Sequence, residues 1–171
     1  MVTRNIVVLP YDERWARDFE AIASEIRDAL GGLALDIVHV GSTSVPGLSA
    51  KPIIDIDVVI RDYTSFDAVV SALKAVGYYH EGDLGIAGRE AFGYEGKSHL
   101  RKHHLYVCPQ NSAELKRHIA FRDYLRAHPD AVNAYSLIKA EGAARYPHDI
   151  EGYIAHKSPF IESIYRKMGL L

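Results

Sequence analysis

The chain has 171 residues, 48% of them hydrophobic, which suffices for one domain (residues 1–171) with a sizeable core. A formal charge of -2 at pH 7 and a pI near 6.5 give no global basic field, so no nucleic-acid or anionic-membrane partner is expected from overall charge. The single cysteine, Cys108, excludes an intramolecular disulfide, and a cytoplasmic location is expected.

The elements follow in chain order. Ile6 to Leu9, closed by Pro10, reads as a short edge strand, and this apolar run is too short for a signal-peptide core or a membrane span. Asp12 offers a helix N-cap. Trp15, Phe19, Ile22, Ala23, Ile26 and Leu30 then recur at helical spacing until Gly31 and Gly32 stop the pattern. Two β-branched runs come next, Ile37 to Val40 and Ile53 to Ile60, separated by a loop that holds Pro46, Gly47 and Pro52. A helix is expected from about Ser65 to Val76, then short strands at Tyr78 to His80, Glu90 to Tyr94 and His103 to Val107. The last third, from about residue 112, reads as three helices, Ala113 to Ala127, Pro129 to Tyr146 and His148 to Met168. The fold class is α+β, a mixed sheet packed with helices and followed by a helical portion.

The chemistry concentrates between Asp36 and Ile60. Gly41, Ser42, Thr43 and Ser44 follow a strand, so amides and three hydroxyls can converge on an anion, and glycine lets the backbone approach it. Asp55 and Asp57 lie two apart on an apolar strand, which puts both carboxylates on one face and Ile54, Ile56 and Val58 on the other. Paired carboxylates repel unless a cation lies between them, and Mg²⁺, or Mn²⁺ in its place, held by oxygens and substrate phosphates is the common resolution. The bland alternative is a Ser/Thr-rich turn and a strand whose aspartates cap or pair with surface arginines.

Around this stretch the residues resemble a known family. A hydrophobic strand, Gly-Ser, a loop of about a dozen residues and then Asp-x-Asp is similar to the core pattern of the nucleotidyltransferase superfamily, the polymerase-beta-like fold. HVGSTSVPGLSAKPIIDI resembles the hallmark of the GrpB family, and so do GIAGREAF around Arg89, KHHLYV, AFRDYLRAHP and the Tyr153, Lys157, Phe160, Ile161 pattern. The resemblance spans nearly the whole chain. It implies a nucleotidyltransferase-like fold, binding of a nucleoside triphosphate with Mg²⁺ on Asp55 and Asp57, and transfer of a nucleotidyl group to an unidentified acceptor. Some members of the family look fused to dephospho-coenzyme A kinase, which points toward nucleotide or coenzyme metabolism.

One departure matters. Active members of the superfamily resemble one another in a third carboxylate on a later strand, whereas His103, His104, Leu105, Tyr106 and Val107 include none, and Tyr106 stands where the family pattern has histidine. His104 is then the candidate third ligand or general base, with His103 and Tyr106 as secondary candidates. The competing expectation is a non-catalytic module that binds a nucleotide or another phosphorylated small molecule. For the phosphates, Lys51, Arg89 and Arg122 are the candidate cations, chosen from a set with Arg101, Lys102, Arg117 and Arg126. Arg126 is expected on a solvated helix face. Ala91 to Ser98 matches a loose P-loop expression but leads into a strand rather than a helix, which excludes that chemistry. Cys108 is expected to be a small buried residue, and Leu115, Ile119, Tyr124 and Leu125 a core stripe.

Overall fold

A computed structural model describes residues 5–171. Helix α1 (Arg14–Leu30) starts where the Asp12 carboxylate accepts from the Arg14 amide at 2.9 Å. Its six sequence-predicted apolar positions are all buried. The chain continues through β1 (Asp36–Val40), β2 (Ile54–Ile60), α2 (Phe66–Ala75), β3 (Tyr78–Gly82), β4 (Glu90–Tyr94) and β5 (His103–Pro109). Three helices close it: α3 (Ala113–Ala127), α4 (Pro129–Arg145) and α5 (Ile150–Lys167). Ser112 and Asp149 cap α3 and α5 by accepting from Leu115 and Gly152 amides. Among the described residues no helix is long and apolar enough to cross a membrane.

The five strands form one mixed sheet in the order β1-β2-β5-β4-β3, in which only the β2–β5 pair is parallel. The expected strand at Ile6 to Leu9 does not form. Leu9 makes a single antiparallel bridge to Ala50, and the Ile6 amide bonds the Pro147 carbonyl instead, so this segment ties loops together.

Strand alternation divides β2 between two environments. Ile54, Ile56, Val58 and Ile60 are fully buried in a core with α1, α2, Leu105 and Val107. The opposite face presents Asp55 and Asp57, and farther along Val59 joins Val38, Val40, Cys108 and Leu115 beneath α3. A second cluster fixes the helical portion. Val45 and Leu48, from the loop between β1 and β2, are buried against Leu125, Val132, Tyr135 and Ile164. That loop therefore seats α4 and α5 beside the Gly41–Ser42 turn, the contact from which the site is built.

Candidate functional site

Gly41 ends β1 with φ 72° and ψ -175°, a conformation L side chains rarely adopt. A Cβ there would overlap the Asp55 carboxylate and lie 2.9 Å from its Cβ and Cγ, so only glycine lets the turn rest against Asp55. Ser42 to Ser44 then form one 3-10 turn. Of the three hydroxyls expected to converge on an anion, two turn inward. Thr43 Oγ1 pairs with His39 Nε2 at 2.9 Å, and Ser44 Oγ donates to the Gly41 carbonyl at 2.5 Å. Ser42 alone faces the pocket.

There it meets Lys51, a cation the sequence marked, and two more, Lys139 and Lys157, that it did not assign to the phosphates. Lys139, on α4 and only 2% exposed, donates to Ser42 Oγ and, at 3.1 Å, to the Ser49 carbonyl. Its ammonium lies 4.4 Å from the Tyr135 ring centroid. Lys51 and Lys157 approach a common ring, Tyr153, at 5.5 and 5.0 Å. These three lysines, with Ser42, Asp55 and His104, line a cavity of about 80 Å³. Burial pushes the Lys139 pKa well below its usual value, and the positive charges of Lys157 and Lys51 push it further. Lys157 is lowered by burial and then by Lys51, and Lys51 by burial and then Lys102, with Asp55 opposing in each case. Such a pocket disfavours its own charge until an anion enters. No local motif announces Lys139. The only sequence signal for Lys157 was its place in a family-like pattern.

The aspartates share a face but not an environment. Asp55 borders the cavity and accepts from His104 Nδ1 at 3.0 Å, while half of the His104 side chain remains exposed. Asp57 is fully buried behind it, and its Oδ2 is held by His118 Nδ1 at 2.6 Å. Its Oδ1 has no hydrogen-bond partner. Burial opposes protonation of His118, but the hydrogen bond and negative charge of Asp57, with Glu114 and Asp55, outweigh it and leave the imidazole pKa raised. His118 lies on α3 far from the motif in sequence, and nothing local marked it. Among the described residues no group of three or more His, Cys, Asp or Glu side chains is placed to hold a metal ion. The parallel register puts His104 beside Asp55 and Tyr106 beside Asp57, so the strand next to the aspartates carries an imidazole and a phenol where a third carboxylate was sought.

The other candidates lie apart. His103 points to the opposite face, bonded to Tyr78 OH and to the Arg101 carbonyl at 2.7 Å each and stacked on Tyr94. Arg122 serves the edge strand rather than the cavity: it donates to the His39 carbonyl at 3.2 Å and pairs with Asp123. Arg126, expected in solvent, instead bonds the Ser44 carbonyl through Nε and a terminal nitrogen at 3.0 and 2.7 Å, bracing the turn from behind. Arg89 stacks over Tyr106, 4.2 Å from the ring centroid, and does not line the lysine cavity. Cys108 is buried. The P-loop-like stretch is β4 and the turn leading to β5, with no helix after it.

Comparison with known proteins gives this geometry a setting. The family model described as GrpB protein matches residues 5–167. The chain is 36% identical over 160 residues to UPF0157 protein YqkA of Bacillus subtilis, matching 94% of this chain and 46% of that one. It spans 66% of a UPF0157 relative from Pseudomonas aeruginosa, so it covers less than two thirds of the length of either protein. It is also 27% identical to a protein named dephospho-CoA kinase from Mycolicibacterium paratuberculosis, of which it covers 45%. Among solved structures, the conserved protein GrpB from Enterococcus faecalis superposes with a TM-score of 0.83 at 34% identity, covering 94% of this chain and 96% of that one. The Cid1 poly(U) polymerase bound to MgATP gives a TM-score of 0.57 at 13% identity, covering 80% and 45%, a likeness of fold alone.

Proposed function

This chain belongs to the GrpB family and has a nucleotidyltransferase-like fold, and from that premise we propose that it binds the phosphates of a nucleoside triphosphate, with Mg²⁺, in the pocket of Ser42, Lys51, Lys139 and Lys157. The observation that carries this reading is the convergence of three partly or fully buried lysines on the Ser42 turn beside Asp55. Like charges gathered out of water are costly, and a polyanion that accepts their hydrogen bonds offsets the cost. The cavity of about 80 Å³ suits a phosphate group, whereas whole small-molecule sites usually occupy about 300–1,000 Å³. The base and sugar therefore extend outward over the exposed His104.

Asp55 and Asp57 are the residues that would hold Mg²⁺ or Mn²⁺. Their donor chemistry fits: both are hard oxygen ligands, and the buried Asp57 Oδ1 lacks any partner. Mg²⁺ is commonly bound by one or two carboxylates together with substrate phosphates, so two aspartates are a sufficient protein share. When bound, the ion would neutralise phosphate charge and polarise the phosphoryl group. The chain's own residues do the rest. Ser42 and the lysines orient the phosphates, and His104, held by Asp55 through Nδ1, leaves Nε2 free to take a proton from an acceptor.

Transfer of the nucleotidyl group to that acceptor is the catalytic form of the proposal. A non-catalytic nucleotide- or phosphate-binding module is the second reading, favoured by the imidazole and phenol of His104 and Tyr106 beside the aspartates. One experiment serves both: thermal unfolding with a panel of nucleoside triphosphates, inorganic triphosphate and dephospho-coenzyme A, with and without Mg²⁺, followed by α-labelled nucleotide turnover for each hit. A ligand at a hundred times its Kd adds about 2.7 kcal/mol of stability, or roughly 5–10 °C in Tm for a chain of this size. Stabilisation with labelled product supports transfer, and stabilisation without product supports the binding module. Stabilisation by dephospho-coenzyme A alone refutes the triphosphate reading, and no stabilisation by any member of the panel refutes both.

A further inference from the structure

Arg89 is the cation that the lysine pocket leaves out. Its Nε is shielded from solvent and bonds nothing, and its two terminal nitrogens have no hydrogen-bond or ion-pair partner among the described residues. Glu90 pairs with His80 at 3.3 Å and Glu114 with Arg117 at 3.0 Å, and Glu81, whose charge reaches Tyr106 as that of Arg89 does, forms no ion pair with Arg89 among the described residues. The guanidinium is nonetheless held in place. It lies over the Tyr106 ring, 4.2 Å from the centroid, a cation–π contact that leaves its nitrogens able to donate. The backbone beneath is fixed as well. Gly88 has φ 79° and sits so close to α3 that an added Cβ would lie 3.0 Å from Ser112 Oγ, the same hydroxyl that donates to the Gly88 carbonyl at 2.7 Å.

Its position relative to the aspartates gives this fork a role. Tyr106 is paired with Asp57 on one side and with Ala91 on the other, so Arg89 stands across Tyr106 from Asp57. The lysine pocket opens at Ser42 and Asp55, toward β1 and the C-terminal helices. On the Arg89 side of the same sheet face the Tyr79 ring and the Glu81 carboxylate lie across Gly93, and both residues are exposed to solvent. Three lysines on one side and Arg89 on the other thus flank one pair of carboxylates.

We infer that the Arg89 fork stacked on Tyr106 is a second anion site, which takes a carboxylate or phosphate of the acceptor on the side of Asp57 opposite the lysine pocket. The assignment to the acceptor rests on the nucleotide reading above; the anion site itself does not. The acceptor it selects is a small molecule or side chain that carries a planar or tetrahedral oxyanion apart from its reacting group, because a guanidinium fork binds such oxygens at two points. An uncharged acceptor gains nothing from Arg89.

The test follows the Arg89 Nε–Hε resonance of the ¹⁵N-labelled chain while inorganic phosphate, and in a separate arm acetate, is added to protein first saturated with inorganic triphosphate. The expected result is a saturable shift in at least one arm, the responding arm naming the oxyanion. Arg89→Lys and Tyr106→Ala should weaken it roughly tenfold and Tyr106→Phe should keep it within about twofold, all three leaving triphosphate affinity within about twofold of wild type. No saturable shift in either arm overturns the site, and so does a shift that appears only before triphosphate is added, since Arg89 then serves the same ligand as the lysines. If triphosphate does not bind but Arg89 still responds to phosphate or acetate, the nucleotide reading fails and the Arg89 site stands.

Discussion

Replacing Lys157 with methionine removes a positive charge and keeps an unbranched side chain, so it separates binding from packing. After burial, the Lys157 charge is the largest influence lowering Lys139, and both lysines line the same cavity. If Lys157 gives a bound phosphate one charge-assisted hydrogen bond, its loss costs about 1.5–3 kcal/mol, or roughly 10- to 150-fold in Kd for inorganic triphosphate. Without ligand the effect reverses. Removing a like charge from beside Lys139 and Lys51 relieves repulsion on the order of 1 kcal/mol, which is about 2–4 °C in Tm. Calorimetric titration gives the first quantity and scanning fluorimetry of the free protein the second. A folded variant that binds triphosphate within about twofold of wild type would refute the reasoning, since the lysines would then not share a ligand.

Three further outcomes follow from the same geometry. His39 is buried against Phe19 and its pKa is pushed down to about 4, first by burial and then by Arg126 and Arg122 against an opposing Asp55. Because the folded pKa lies below the unfolded 6.5, its contribution is complete above pH 6.5 and is lost as pH falls toward 4, by about 3 kcal/mol. Urea unfolding across that range should show the loss in wild type and a smaller one in His39→Phe. His118→Ala strips the buried Asp57 carboxylate of the only hydrogen-bond partner it has among the described residues and should cost about 3–5 kcal/mol; adding Asp57→Asn should restore part of that, measured by the same unfolding experiment. Gly41→Ala drives a Cβ into the Asp55 carboxylate at a positive φ, and should lower Tm and abolish triphosphate binding together.

The sequence announced the fold wherever a single element carries its own signal. The α1 stripe and the alternation of β2 are local patterns, and each forms as expected within a residue or two. Ile6 to Leu9 failed because apolar composition sets no partner: the segment has one bridge to Ala50 and no ladder. The site divides in the same way. Gly41, Ser42, Lys51, Asp55 and His104 meet because strand register and the loop joining β1 to β2 bring them together. Lys139, Lys157 and His118 come from helices far along the chain whose docking depends on Val45 and Leu48 in that same loop, a tertiary fact with no local spacing to betray it. Arg122 and Arg126 misled because an arginine on a helix reads the same whether it meets a phosphate, water or a backbone carbonyl.

The most direct test of the central claim is a crystal structure of the chain with Mg²⁺ and a non-hydrolysable nucleoside triphosphate analogue. The predicted result places the triphosphate within hydrogen-bond reach of Ser42 Oγ and the Lys139 and Lys157 ammonium groups, with its metal on Asp55 and Asp57. An analogue that binds elsewhere on the chain, leaving Lys139 bonded only to Ser42 and Ser49, would contradict it.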